Sequence, residues 1–182
     1  MAGTSPAMTG LLKDADGIDP AVKTHLAPVV DDRTRVLILG SLPGEASLAA
    51  QRYYAHPQNA FWRLVGDALS EDFATLPYEA RLDRLRARGV GLWDVVASAT
   101  REGSLDSAIR LSEAADLQGL IATLPALRCV GFNGATAAKI GSKSLGTWAE
   151  RLAILRLPSS SPAFTQPFAR KAEAWRALSA YL

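Results

Sequence analysis

The run Arg35-Val36-Leu37-Ile38-Leu39-Gly40 constrains the fold more than any other stretch of the chain. Four consecutive aliphatic residues leave no polar face, so a strand made of them must be covered on both sides. Parallel sheets flanked by helices meet that demand; isolated hairpins do not. Shorter runs repeat the theme at Val90-Gly91-Leu92-Trp93, ending at Asp94, and at Cys129-Val130-Gly131-Phe132, ending at Asn133-Gly134. A further run, Ala153-Ile154-Leu155-Arg156-Leu157, is stopped by Pro158. Helical spacing appears between them. Phe61, Leu64, Val65, Ala68 and Leu69 fall at i, i+3, i+4, i+7 and i+8, and Leu117, Leu120, Ile121 and Leu124 repeat the pattern. Other helices are predicted from about Pro77 to Arg88, stopped by Gly89, over Ala135 to Ile140, and from about Pro167 to Leu182. The alternation predicts a three-layer α/β/α sandwich around a mostly parallel sheet of roughly four strands.

The chain has 182 residues, a size for one domain. Residues 1–28 carry Gly3, Pro6, Gly10, Gly17, Pro20 and Pro28 and little apolar periodicity. They predict a flexible N-terminal extension, with a helical turn near Ala21–His25, ahead of a single domain over 29–182. A hydrophobic content of 48% with 21% charged residues excludes wholesale disorder. No apolar stretch approaches the ~20 residues needed to span a bilayer, and the first residues lack a signal-peptide pattern. The single Cys129 cannot form an internal disulfide, and with only His25 and His56 a closed zinc site is not expected. The expectation is a soluble, cytoplasmic protein without metal or cofactor. A net charge of +2 permits a nucleic-acid partner without requiring one.

In open α/β sheets ligands bind outside the carboxyl ends of the strands. Those ends here carry Gly40-Ser41-Leu42-Pro43-Gly44, Asp94, Asn133-Gly134 and Pro158 to Pro162. The first is neither a P-loop nor a dinucleotide fingerprint, because it lacks the glycine spacing and any Gly-Lys-Ser/Thr. It is not a nucleophile elbow either, since its third residue is Leu42 rather than serine.

The informative stretch is Gly40 to Trp62, Gly-Ser-Leu-Pro-Gly followed by Tyr53-Tyr54-Ala55-His56-Pro57-Gln58-Asn59-Ala60-Phe61-Trp62. It resembles the first motif region of the uracil-DNA glycosylase superfamily, and most closely the branch specific for hypoxanthine. The likeness extends to Gly91-Leu92-Trp93-Asp94-Val95-Val96 with Arg101-Glu102-Gly103-Ser104, to Asn133-Gly134, and to Leu157-Pro158-Ser159-Ser160-Ser161-Pro162-Ala163. It covers the chain from about Val30 to Leu182. Mismatch-specific relatives place a water-orienting asparagine at the third position of Gly-x-Asn-Pro-Gly. Leucine cannot orient or deprotonate water, so Leu42 is a departure, and the resemblance moves the catalytic role to Asn59.

The resemblance implies further roles. Tyr54, directly before Ala-His-Pro, stacks on the extruded base, while Tyr53 is an ordinary core tyrosine. Ser41, Leu42, Asp94 and Asn133 line the base pocket, with Asp94 in the position of a base-reading asparagine. His56 braces its loop. Ser159, Ser160, Ser161 and Pro162 hold phosphates, and Ala163 and Phe164 are candidate wedges into the duplex. Each has a plainer reading: Asn59 as a helix cap, Asp94 as a turn cap, Asn133-Gly134 as turn chemistry and the serines as a solvent loop. The implied activity is that of a monofunctional DNA glycosylase, acting as a monomer on DNA and excising hypoxanthine or uracil after flipping the base. The alternative is a nucleotide- or nucleic-acid-binding α/β module without catalysis, which Leu42 makes conceivable.

Overall fold

The computed structural model describes residues 22–101 and 103–182 of the chain. The elements run β1 (Val22–Thr24), β2 (Val36–Gly40), α1 (Glu45–Ala50), α2 (Phe61–Leu69), α3 (Tyr78–Ala87), β3 (Val90–Asp94), β4 (Val96–Thr100) and β5 (Arg110–Ala114). They continue with α4 (Leu117–Ala122), β6 (Cys129–Asn133), α5 (Ala135–Ser144), β7 (Ala153–Leu157) and α6 (Phe168–Trp175). Short 3-10 turns lie at Asp106–Ala108, Gly146–Glu150 and Arg176–Tyr181.

The aliphatic run behaves as its composition demands. β2 is central in a sheet of order β3-β2-β6-β7, parallel throughout. Successive side chains of a strand point to opposite faces. Val36 and Ile38 therefore enter one core with Leu64 of α2, Leu85 of α3 and Trp175 of α6. Leu37 and Leu39 enter the other with Ile121 of α4 and Ala137 of α5. All five β2 residues are buried, so the predicted three-layer sandwich is observed, with its four-stranded parallel sheet between two helical layers.

Four local features differ from the expectation. A second, antiparallel sheet of order β1-β4-β5 adjoins the first. Its strands are short and lack the continuous apolar runs that reveal a buried strand. The helical turn expected near Ala21–His25 is replaced by β1, whose Val22 pairs with Thr100 and Lys23 with Ala99; Ala21 itself lies outside the described residues. Of the expected extension over residues 1–28, residues 1–21 lie outside the description, while Leu26 is buried in the core. The last helix ends at Trp175 and passes into the 3-10 turn Arg176–Tyr181.

The register places the site. Gly40 pairs with Asp94 across β2 and β3, and Leu39 pairs with Phe132 across β2 and β6. The carboxyl ends of three adjacent strands thus lie side by side. From β2 the chain passes to β3 on one flank and later reaches β6 on the other, the kind of reversal at which open α/β sheets leave a crevice.

Candidate active site

Gly40 closes β2 against Asp94. A Cβ at this position would lie 2.7 Å from Asp94 Oδ1 and 3.3 Å from Tyr54 Oη. The absent side chain is what lets the carboxyl and the phenol crowd the strand end. Asp94 is only 4% exposed, and its Oδ2 is buried with no hydrogen-bond partner among the described residues. Burial, followed by the negative charge of Asp106, pushes this carboxyl up to about 7, against the opposing pull of Arg101. The chain just beyond is stitched to the first motif, Val95 N–H donating to the Gly40 carbonyl at 2.9 Å and Val96 N–H to that of Ser41 at 3.1 Å.

Tyr54 reaches the same place by an unusual backbone. Its φ of 52° lies in the left-handed region, which bulky residues seldom occupy, and Gln51 at the end of α1 shares it with a φ of 51°. The ring stacks on Phe61, with centroids 3.7 Å apart and planes 11° from parallel. Asn133, at the end of β6, donates from Nδ2 to Tyr54 Oη at 3.2 Å and to Ser160 Oγ at 2.9 Å. Its Oδ1 accepts from Ser160 N–H at 2.8 Å. These three bonds fix which way the amide faces. Burial first, and then the nearby Asp94, raise the Tyr54 phenol above its ordinary range, so it stays neutral.

Asn59 makes the bond that its plainer reading as a cap requires. Its Oδ1 accepts from Phe61 N–H at 2.9 Å and so covers a free donor at the start of α2. Its Nδ2 has no partner among the described residues. Ala60 N–H donates to the Ser160 carbonyl at 3.0 Å, which sets this turn beside the serine loop. His56 is exposed and accepts from Gln58 N–H at 3.2 Å, the bracing expected of it. Tyr53 is buried and donates to the carbonyls of Ala27, at 2.9 Å, and Leu26, at 3.2 Å.

Leu42 departs from the expectation that it lines the pocket. Its side chain packs into the core with Leu39, Trp93 and Val95, leaving only its backbone for the site. The loop that carries it is held by two residues to which the sequence assigns no role. Arg101 is buried and donates to the Leu42 carbonyl at 3.3 Å and to the Pro43 carbonyl. Asp106 accepts from Ser41 Oγ at 2.6 Å. Asp106 sits in a stretch with no periodic pattern, so only the fold reveals it. Arg101 does carry a signal, since an arginine directly after a strand and close to a motif loop is a natural carbonyl clamp.

The serine loop divides inward and outward. Ser160 is 1% exposed and bound to Asn133, so its hydroxyl serves the pocket wall instead of reaching out toward a phosphate. Ser159 and Ser161 are partly exposed, Pro162 is exposed, and Phe164 is 45% exposed with Lys171 Nζ 5.2 Å from its ring centre. A surface cleft of about 520 Å³ runs along α2 between Trp62, Asp67 and Phe168. A second, of about 600 Å³, lies near Arg35 and Arg88. Neither is bounded by Asp94, Tyr54 or Asn133. The strand ends instead bring together the Tyr54 ring, the buried Asp94 carboxyl and the Asn133 amide that holds the phenol.

Comparison with known proteins points the same way. A protein of Methanosarcina acetivorans named hypoxanthine DNA glycosylase is 40% identical over 157 residues, covering 86% of this chain and 98% of the relative. A protein of the same name from Methanosarcina barkeri is 43% identical over 112 residues, covering 62% of this chain and 71% of that relative. The fold matches the solution NMR structure of a candidate uracil DNA glycosylase from Methanosarcina acetivorans with a TM-score of 0.76 and 37% identity, over 88% of this chain and 98% of the other. The model of the uracil DNA glycosylase superfamily matches residues 27–179, a span that contains every strand-end residue described above. These matches establish that the chain belongs to the uracil DNA glycosylase superfamily.

Proposed function

We propose that this protein is a monofunctional DNA glycosylase that removes a deaminated base, hypoxanthine or uracil, by hydrolysing its bond to the sugar. The observation that carries the reading is Asp94 Oδ2, a buried carboxyl oxygen left unpaired at the strand ends. An unpaired buried polar group is costly, and a flipped base with a ring N–H would satisfy it. The relatives named hypoxanthine DNA glycosylase support the choice of base.

The named residues divide the work. Tyr54, backed by Phe61, presents its other face to the base and supplies affinity for any ring. Asp94 reads the ring N–H, while Ser41 and the Leu42 backbone border the pocket. Asn133, tied to Ser160, holds the Tyr54 phenol. Charge develops on the base as it departs and the sugar becomes oxocarbenium-like, so donors aimed at that charge and a placed water lower the barrier. The free amide hydrogens of Asn59 are assigned to this step. Ser159, Ser161 and Pro162 lie along the phosphates, with Ser160 supporting them from within, and Phe164 and Ala163 enter the duplex. The lysine beside the serine loop, Lys171, donates to the Ser161 carbonyl at 3.3 Å, and a Schiff base with the sugar is not part of the proposed mechanism.

The reading includes a monomer acting on DNA in the cytoplasm without metal or cofactor. An end-labelled duplex with one inosine, uracil, xanthine or mismatched thymine, incubated with the protein and then treated with alkali, tests it. Cleavage at inosine or uracil is expected; strand-binding without cleavage at any of them would favour a non-catalytic binding module. Affinity for duplex should fall only modestly as salt rises, because a protein of net charge +2 neutralises few phosphates. Cleavage should survive EDTA, and loss of activity restored by a divalent ion would contradict the metal-free reading.

A further inference from the structure

We propose that Leu105 is a second contact with the DNA duplex, an apolar tip that packs beside the extruded nucleotide on the flank opposite Phe164. The inference rests on the glycosylase reading above. Leu105 and Phe164 are the two large apolar side chains exposed among the described residues, at 56% and 45%. A single exposed leucine is ordinary on a protein surface. What sets this pair apart is that both stand on loops bonded to the strand ends that form the site. The Phe164 loop is tied through Ser160 to Asn133 at the end of β6. The Leu105 loop is tied through Asp106 to Ser41, just beyond β2, at 2.6 Å. β4, which leads to Leu105, follows β3 at one edge of the parallel sheet, and the serine loop follows β7 at the other. The two apolar tips therefore flank the crevice from opposite sides.

The neighbours of Leu105 are pinned, and the pinning aims it outward. Ser104 Oγ accepts from Glu45 N–H at the start of α1 at 2.9 Å, and Lys23 Nζ donates to the Gly103 carbonyl at 3.0 Å. Asp106 holds Ser41 on the other side. Leu105 itself is extended, with φ −79° and ψ 130°. In extended backbone, successive side chains point to opposite sides. Ser104 and Asp106 face the first-motif loop, so the Leu105 side chain faces away from it, into solvent. A tip on a loop already ordered in this way loses little freedom on binding.

The duplex is the occupant that fits. Flipping a base leaves its neighbours unstacked, and inserted leucine or phenylalanine side chains cover such faces in nucleic-acid complexes. Charge agrees. Arg110, paired with Thr100 at the foot of the loop, is exposed and forms no ion pair among the described residues, which leaves a cation for a phosphate on the same flank. The acidic groups nearby are occupied, Asp106 by Ser41 and Glu45 by Lys23 at 2.7 Å.

The test is single-turnover excision by Leu105→Ala from two duplexes, one with inosine opposite cytosine and one with inosine opposite an abasic linker. Extruding a paired base costs more than extruding an unpaired one, so the first duplex depends more on the extra contact. Leu105→Ala should cut the paired substrate about 10-fold more slowly, the worth of burying the outer carbons of a leucine. It should cut the unpaired one within about twofold of wild type. Leu105→Met, which keeps the apolar volume, should stay within about threefold of wild type on both. Thermal melts of Leu105→Ala and wild type should coincide, since the side chain is exposed in the free protein. Unchanged excision of paired inosine by Leu105→Ala would overturn the contact. An equal loss on both substrates, or a loss that follows a lower melting temperature, would also overturn it, because the loop would then be serving the pocket. Each of these results leaves the glycosylase reading intact, since wild type still cuts. Absence of excision by wild type on both duplexes would overturn that reading, and this inference with it.

Discussion

Asn59→Ala is expected to lower excision by about 10²–10³-fold, the usual loss when a donor aimed at developing charge is removed. Its cost to folding should be near 1 kcal/mol, because the side chain also covers Phe61 N–H at 2.9 Å. The two roles use different atoms, and Asn59→Asp separates them. Aspartate keeps an oxygen for the helix start but has no amide hydrogens for the site, so this variant should remain stable and still be slow. Thermal melts beside single-turnover kinetics check both numbers. Near-normal excision by folded Asn59→Ala would reduce Asn59 to a cap. It would also leave the chain without a replacement for the polar residue that Leu42 displaces, since Leu42 itself is committed to the core.

The second large effect is expected at Asp94. Asp94→Ala leaves the base edge without a partner in a dry pocket and should cost about 10- to 100-fold in excision. Asp94→Asn presents an acceptor and a donor at every pH, much like the neutral acid, and should keep activity within about tenfold of wild type. Stability supplies an independent reading. The unfolded chain gives up this proton near 3.8, whereas the folded protein retains it up to about 7. Over that interval the unfolded state binds fewer protons, so folding stability falls as pH rises. Asp94→Asn should remove that part of the decline. If Asp94→Ala cuts inosine and uracil duplexes as fast as wild type, the residue only closes a turn.

The parallel sheet was legible because burial on both faces writes itself into composition: Val36 to Leu39 admits no other environment. Amphipathic α2 was legible for the complementary reason, since one face of it is wet. The antiparallel sheet escaped because β1 and β5 owe their pairing to partners distant in sequence, not to an apolar pattern of their own. Tyr54, Asp94, Asn133 and Asn59 stand out in the sequence because each lies at a strand end or inside a long motif. Leu42 illustrates the limit of motif reading: its position borders the site, yet its side chain turns inward. Asp106 and Arg101 act across loops, by a 2.6 Å bond to Ser41 and by capture of the Leu42 and Pro43 carbonyls. Contacts of that kind have no period; for Asp106 only the folded chain displays them, while Arg101 is marked by its place directly after a strand.

The central claim is that a base leaves the DNA as a free molecule and the sugar–phosphate strand stays whole. Chromatography of the small-molecule fraction, after incubating wild-type protein with an inosine-containing duplex, measures this directly. The account predicts free hypoxanthine in amounts equal to the abasic sites formed, with the strand intact until alkali is added. No free base despite tight binding of the duplex, or release of a nucleotide in place of the base, would contradict it.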